Sequence, residues 1–116
     1  MDDRIAAAEA APIAQLSAPE LKTLIDSGTP FQLVDVRTDG ERAIARIDGS
    51  RLLDKPYYDA LLLLERDAPL VFVCHHGIRS QGAAEHFQRE GFRRLYNLRG
   101  GIDAWSLLVD SSVPRY

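Results

Sequence analysis

The chain has 116 residues, of which 46% are hydrophobic and 27% charged, the composition of an ordinary globular domain. We expect a chain of this length to form a single domain, which buries roughly 65% of its unfolded surface without metals or disulfide bonds. Fourteen Lys and Arg against seventeen Asp and Glu give a formal charge of -3, and the two signs are interspersed. This balance argues against a nucleic-acid partner.

The composition also bears on the cellular setting. The longest apolar runs, 60–64 and 68–74, fall far short of the roughly 20 residues that span a bilayer, so we expect no membrane partner. The acidic, alanine-rich start lacks the basic and apolar parts of a secretory signal, which predicts a cytoplasmic protein. The single cysteine, Cys74, cannot form an internal disulfide, a four-cysteine metal site or a Cys-x-x-Cys redox pair.

The first predicted helix begins at a capping box. Ser17 is followed three residues later by Glu20, and apolar residues then recur at helical spacing until Gly28. A strand over 31–36 comes next, because this segment is apolar, rich in strand formers and bounded by turn residues. We expect that strand to end near 35–37.

The elements that follow alternate in type. They are a short polar helix around 41–45, a weak strand around 51–53, a helix over 57–65 that starts at Asp54 and Pro56, a strand over 70–73, a helix over 80–90, a strand over 95–98 and a turn of helix after Gly100 that carries Trp105. Such alternation predicts an α/β fold with a mostly parallel sheet and helices on both faces. Ligands of these sheets bind at the carboxyl ends of the strands, where Cys74 lies.

The segment from Cys74 to Ser80 holds the candidate nucleophile. Taken alone, a cysteine after a valine-rich strand is most simply a small buried hydrophobe. A loop from a strand into a helix, however, can aim several backbone N–H groups at one point, and the helix N-terminus adds partial positive charge there. A cysteine sulfur at that point is favoured as the nucleophilic thiolate.

The rest of this loop suits an anionic substrate. Gly77 permits the backbone turn, and Arg79 adds a permanent cation with a planar fork. Four residues separate the cysteine from the arginine, one fewer than in cysteine-dependent phosphatases, and the tighter loop suits a single bound sulfur. We therefore predict Cys74 as the catalytic residue within a substrate-binding loop made of His75, His76, Gly77, Ile78, Arg79 and Ser80.

Three segments together resemble a single-domain rhodanese, a sulfurtransferase module. They are 34–37 with Glu41 and 47–50, the loop 74–80, and 100–105. The chain departs from the family pattern at 45–50, where Gly-His-Ile-Pro-Gly-Ala is usual. The resemblance implies a five-stranded rhodanese-like α/β domain over residues 13–108, between a flexible N-terminal segment 1–12 and a C-terminal tail 109–116.

The resemblance also implies an activity. Cys74 would take a sulfane sulfur from thiosulfate or a related small anionic donor, become a persulfide, and pass the outer sulfur to a thiol or to cyanide, with no cofactor. The tail is similar to the tails of rhodanese modules fused to monothiol glutaredoxins. This similarity suggests a thiol-redox protein such as a glutaredoxin as the acceptor.

Two alternative functions stay open. The first is a cysteine-dependent phosphatase or arsenate reductase of the related fold; the short loop and the absence of a second cysteine argue against it. The second is a non-catalytic rhodanese-like module that only recognises a partner, against which stand the cysteine and arginine in one loop.

The remaining polar residues have supporting roles. Asp35 and Arg37 at a strand end, together with Glu41, are expected to form structural ion pairs that brace neighbouring loops rather than a second catalytic set. His75 and His76 invite a metal interpretation. We expect no metal site, because adjacent loop residues diverge and no further His or Cys completes a tetrahedral set; the two histidines then line the pocket mouth.

Overall fold

The computed structural model describes residues 12–116, so the predicted flexible segment 1–12 lies outside the described residues except for Pro12. The elements follow one another as β1 (Ala14–Leu16), α1 (Ala18–Asp26), β2 (Gln32–Asp35), α2 (Asp39–Ile44), β3 (Ser50–Leu52), α3 (Lys55–Leu62), β4 (Leu70–Val73), α4 (Ile78–Arg89), β5 (Leu95–Leu98) and α5 (Gly101–Leu108). Strands and helices therefore alternate throughout the described chain, as the sequence predicts.

The strands form one five-stranded sheet in the order β1-β5-β4-β2-β3. Every pairing between described strands is parallel. The predicted α/β architecture is confirmed, and the sheet is wholly rather than mostly parallel. Because β4 is the central strand, Cys74 follows directly at the middle of the carboxyl edge, which is the usual ligand position in such sheets.

The central strand is buried on both faces, as its continuous apolar sequence predicts. Leu70 and Phe72 point into one core, which α3 and α4 complete with Tyr57, Leu61, Ala84 and Phe87. Val71 and Val73 point into the other core, which α1 and α5 complete with Leu21, Ile102 and Trp105. Helices therefore cover both faces and hold the end of β4 rigidly.

The helix starts follow from side-chain caps. At α1 the predicted capping box is present: Ser17 Oγ accepts the Glu20 N–H at 3.2 Å, and Glu20 Oε1 accepts the Ser17 N–H at 2.8 Å. A second capping box, between Thr38 and Glu41, starts α2 two residues earlier than the sequence predicted. The third helix begins after its predicted cap, Asp54, but ends at Leu62 instead of continuing to residue 65.

One strand escaped the element-by-element prediction. The residues themselves indicated four strands, and only the family resemblance implied a fifth. The structure supplies it as β1, a three-residue edge strand that pairs with β5. A segment of three residues is too short to show the alternation that indicates a strand. Its pairing partner, β5, lies about eighty residues further along the chain, so no local pattern indicates the pairing either.

Within the part of the chain that the structure describes, no helix has both the length and the hydrophobicity to cross a bilayer.

Candidate active site

Cys74 is buried, and polar groups surround its sulfur. The residue is 1% exposed. Its Sγ accepts the N–H of Gly77 at 3.1 Å and the N–H of Ser80 at 3.4 Å, and it lies 3.2 Å from the Ser80 hydroxyl oxygen. The sequence predicted several backbone N–H groups of the loop around this sulfur; in the structure those of Gly77 and Ser80 lie within hydrogen-bonding distance of it.

These donors change the acidity of the thiol. Burial alone would raise the pKa of Cys74, because it disfavours the charged form. The Ser80 hydroxyl and the N–H groups of Ser80, Gly77 and His76 act in the opposite direction and together hold the pKa below its usual range. The site therefore favours a thiolate, the reactive form of cysteine.

The turn at Gly77 aims its N–H group at the sulfur. Its φ is +100°, in the left-handed region that glycine adopts most readily. A Cβ at this position would lie 3.3 Å from both the Gly100 nitrogen and the Leu98 carbonyl oxygen. Gly77 is also the N-cap of α4, and no side chain of residues 12–116 caps that helix, so its first N–H groups are available to the loop.

The start of α5 holds the other side of the loop. The Ile102 N–H donates to the Cys74 carbonyl at 2.8 Å, and the Asp103 N–H donates to the His75 carbonyl at 3.2 Å. This approach requires a glycine at position 101, where a Cβ would lie 2.5 Å from the Cys74 carbonyl oxygen. The glycine pair before Trp105 therefore allows close packing of α5 against the nucleophile.

Arg79, the last loop residue before Ser80, binds a carboxylate. Its two terminal nitrogens donate to the Glu41 oxygens at 2.7 and 2.9 Å. These hydrogen bonds lower the pKa of Glu41 well below its usual range, against the effect of burial, and raise the pKa of Arg79 further. The guanidinium expected to face an oxyanion is therefore already paired, and it links the loop to α2.

The predicted supporting pair of Asp35 and Arg37 is present and buried. Arg37 donates to the Asp35 carboxylate through two nitrogens, and Arg42 adds a second cation at 2.8 Å. Arg37 also donates to the Ala45 carbonyl at 2.7 Å, which ties the end of β2 to the segment after α2. Glu41, predicted with this group, instead pairs with Arg79.

We expected the side chains of the two loop histidines to diverge, and that expectation is wrong. Their rings do not diverge but stack, with centroids 3.9 Å apart, and candidate ligand atoms of His75, His76 and Asp103 all lie within 4.8 Å of one another. The two ring planes are 28° from parallel. The Asp103 carboxylate is moreover paired with Arg115 at 2.8 Å.

The C-terminal tail takes part in this site, which the sequence did not predict. The Tyr116 ring stacks on His75, with centroids 3.9 Å apart and planes 8° from parallel. Its hydroxyl donates to Glu41 at 2.6 Å and accepts from Arg37 at 2.9 Å. Tyr116 therefore connects the loop, through His75, with both Arg37 and Glu41. By contrast Ile78, a predicted loop residue, is 82% exposed and points outward.

Asn97 on β5 is a second residue that the sequence did not single out. It is 3% exposed, and its side chain bonds to Ser80 and to the Gly77 carbonyl. Asparagine within a predicted buried strand is itself a signal, since buried polar side chains need partners and often belong to a site.

Comparison with known proteins identifies the family to which this site belongs. The model of the rhodanese-like domain matches residues 17–108. The chain belongs to the rhodanese-like domain family. The thiosulfate sulfurtransferase GlpE of Pseudomonas aeruginosa is 41% identical over 93 residues, which cover 78% of this chain and 83% of that protein. The chain is accordingly a rhodanese-type sulfurtransferase, the enzyme class expected from the sequence.

Solved structures agree on the fold. A rhodanese-like domain protein from Staphylococcus aureus superposes with a TM-score of 0.71 at 28% identity, covering 90% of this chain and 99% of that one. A protein of unknown function from Rhodopseudomonas palustris, described as a possible tyrosine phosphatase, has a TM-score of 0.70 at 25% identity, covering 90% and 85% of the two chains.

Proposed function

We propose that this rhodanese-like domain moves the sulfane sulfur of thiosulfate to a thiophilic acceptor through a persulfide on Cys74. The observation that carries the proposal is the set of N–H groups from Gly77 and Ser80 within 3.4 Å of a sulfur at the carboxyl end of β4. Donors fixed around one point stabilise the negative charge that develops there. The name of the Pseudomonas relative supports thiosulfate as the donor.

The first half-reaction loads the sulfur. The Cys74 thiolate attacks the outer sulfur of thiosulfate, a new S–S bond forms, and the S–S bond of thiosulfate breaks. The electron pair of the broken bond leaves with sulfite. The enzyme is left as a persulfide whose negative charge is on the outer sulfur. The loop amides and the positive end of α4 favour that anion.

The second half-reaction transfers the outer sulfur of the persulfide to the acceptor. A thiolate or cyanide attacks the outer sulfur and the persulfide bond breaks. Its electron pair returns to Cys74, which regenerates the thiolate without any external oxidant or reductant. We include among the acceptors a thiol-redox protein such as a glutaredoxin, on the similarity of the tail to rhodanese modules fused to such proteins.

A phosphatase activity is the second candidate, because the Rhodopseudomonas protein is described that way. Two features of this chain favour sulfur instead. Four residues lie between Cys74 and Arg79, whereas cysteine-dependent phosphatases use five to make room for three phosphoryl oxygens. The Arg79 guanidinium is also paired with the Glu41 carboxylate through two hydrogen bonds. Its positive charge, which a phosphoryl group would need, is therefore already compensated.

The test is thiocyanate formation from thiosulfate and cyanide by the wild-type chain and by Cys74→Ser. The proposal expects activity in the wild type and none above background in the variant, whose thermal unfolding curve shows whether it is folded. Hydrolysis of p-nitrophenyl phosphate in place of sulfur transfer would support a phosphatase. Neither reaction, together with slow alkylation of Cys74, would support a non-catalytic binding module.

A further inference from the structure

A continuous chain of hydrogen bonds, buried from Cys74 to Asn97 and partly buried beyond it, runs from the nucleophile to the edge of the sheet. The Ser80 hydroxyl oxygen lies 3.2 Å from Cys74 Sγ, and the same hydroxyl donates to Asn97 Oδ1 at 2.5 Å. The Asn97 amide nitrogen donates to the Gly77 carbonyl at 3.1 Å and to Gln15 Oε1 at 3.0 Å. Ser80 is 0% exposed, so no bulk water competes for its hydroxyl.

The orientation of the Asn97 side chain is determined by its partners. Two oxygen acceptors, the Gly77 carbonyl and Gln15 Oε1, lie on one side and require the NH₂ group there. The Gln15 amide is itself oriented, because its nitrogen donates to the side chain of Gln81 and to the Ile13 carbonyl. Asn97 must therefore present its oxygen to Ser80.

The edge strand β1 is what completes this arrangement. Gln15 and Asn97 are register partners in the parallel pairing of β1 with β5. The strand that the sequence pattern missed thus supplies the residue that orients Asn97.

The Ser80 hydroxyl has one hydrogen and two neighbouring acceptors. When Cys74 is a thiol, its S–H can donate to Ser80 Oγ while Ser80 donates to Asn97, and every group is satisfied. When Cys74 is a thiolate, the sulfur can only accept. Ser80 can then donate its hydrogen either to the sulfur or to Asn97 Oδ1, and the acceptor that does not receive it loses the Ser80 donor.

We propose that Asn97 is a positioning residue that competes with the Cys74 thiolate for the hydroxyl hydrogen of Ser80. It thereby favours the states of Cys74 in which the bonded sulfur carries no charge. One of these states is the thiol. The other, which rests on the proposed function, is the persulfide, because its charge lies on the outer sulfur and leaves Ser80 free to return its hydrogen to Asn97. Asn97 thus shifts the loading equilibrium toward the sulfur-carrying enzyme.

Charged and titratable groups around Cys74 come from the loop, α2, α4, α5 and the tail. They are His75, His76, Glu41, Arg79, Asp103 and Tyr116. None of them bonds to Asn97 in the structure, and none is altered in the variants below. Their contribution to the acidity of Cys74 is therefore common to all the proteins compared.

The experiment measures the rate of Cys74 alkylation by iodoacetamide as a function of pH, which reports the pKa of the only cysteine in the chain. Asn97→Leu keeps the number and branching of the side-chain heavy atoms and removes the competing acceptor. We expect it to lower the apparent pKa and to speed alkylation below that pKa by about three- to tenfold, the equivalent of one net hydrogen bond. Ser80→Ala is expected to slow alkylation.

The decisive comparison is the double variant. In the Ser80→Ala background, Asn97→Leu should no longer speed alkylation, because no hydroxyl remains to compete for, whereas any effect of losing the bond to the Gly77 carbonyl is common to both backgrounds. An equal shift in both backgrounds, or no shift in either, would overturn the proposal. If Asn97→Leu does not fold, Asn97→Asp replaces it: its carboxylate must slow alkylation more with Ser80 present than with Ser80→Ala, and equal slowing refutes the competition.

A second readout separates this inference from the proposed function. At a fixed ratio of thiosulfate to sulfite, and at a pH above the apparent pKa of Cys74 in every protein so that the unloaded enzyme is the thiolate, the persulfide fraction is measured by intact mass. The ratio of persulfide to thiolate should fall in Asn97→Leu by the same factor as alkylation rises. An alkylation shift with no persulfide in any protein contradicts the sulfur chemistry and leaves the competition standing. Persulfide in every protein with no alkylation shift contradicts the competition alone.

Discussion

Replacing Gly77 with alanine tests how the loop activates its cysteine. The substitution puts a side chain on a residue with φ of +100° and places its Cβ 3.3 Å from two backbone atoms. A left-handed conformation costs an L-residue about 1–2 kcal/mol. The loop can relieve this strain only by moving, and the Gly77 N–H that donates to Cys74 Sγ at 3.1 Å moves with it.

The size of the effect follows from that one hydrogen bond. A hydrogen bond to a charged group contributes about 1.5–3 kcal/mol, and its loss is felt by the thiolate more than by the thiol. Since about 1.4 kcal/mol corresponds to one pKa unit, we expect the pKa of Cys74 to rise by about one unit. Alkylation at a pH below the pKa of both proteins should then slow by about tenfold, as measured from the pH profile with iodoacetamide.

Gly82 provides the matched control. It lies in the same helix, α4, its φ is not positive, and a Cβ there would meet no atom of the described residues within 4 Å. Gly82→Ala should leave the alkylation profile unchanged and raise the free energy of unfolding by up to about 1 kcal/mol. A folded Gly77→Ala protein with the same profile as Gly82→Ala would refute the claim that this turn sets the acidity of the thiol.

Three further predictions concern the groups that support the loop. Tyr116→Phe keeps the ring on His75 but loses the hydroxyl that bonds Arg37 and Glu41, so urea denaturation should give a free energy of unfolding lower by about 1 kcal/mol; no change would mean that the tail does not dock in solution. Asp35→Ala leaves buried Arg37 without its carboxylate and should destabilise the fold by about 3–5 kcal/mol in the same measurement, whereas a loss below about 1 kcal/mol would contradict a buried pair. Because Arg79 lowers the pKa of Glu41 from 4.5, the stability difference between wild type and Glu41→Gln should be constant from neutral pH down to about 4.5, shrink progressively below that value and be lost once the pH has fallen through the lowered pKa; a difference that vanishes above 4.5 disagrees with the ion pair.

The sequence was most informative where structure depends on near neighbours. The capping box of Ser17 and Glu20 predicted the start of α1, and the apolar run of β4 predicted a strand covered on both faces. The same local rule, applied to Thr38 and Glu41, would have located the start of α2 as well. These features need only the hydrogen-bonding capacity and hydrophobicity of residues a few positions apart.

Contacts between distant segments were not predictable in the same way. Gln15 bonds to Asn97, and Tyr116 bonds to Arg37, across 82 and 79 positions respectively. Both contacts depend on the strand order and on the path of the tail, which no local pattern encodes. The stacking of His75 on His76 was missed for a related reason: the stack also includes the ring of Tyr116, which lies about forty residues further along the chain.

Mass spectrometry of the protein after incubation with thiosulfate tests the central claim most directly. The loop is built to hold charge on sulfur at Cys74, so the wild-type chain should gain the mass of one sulfur atom on the peptide that contains Cys74, with release of one equivalent of sulfite. Cyanide should remove the added mass. Sulfite release without modification of Cys74, or a gain of one sulfur atom by the Cys74→Ser variant, would contradict a persulfide on Cys74.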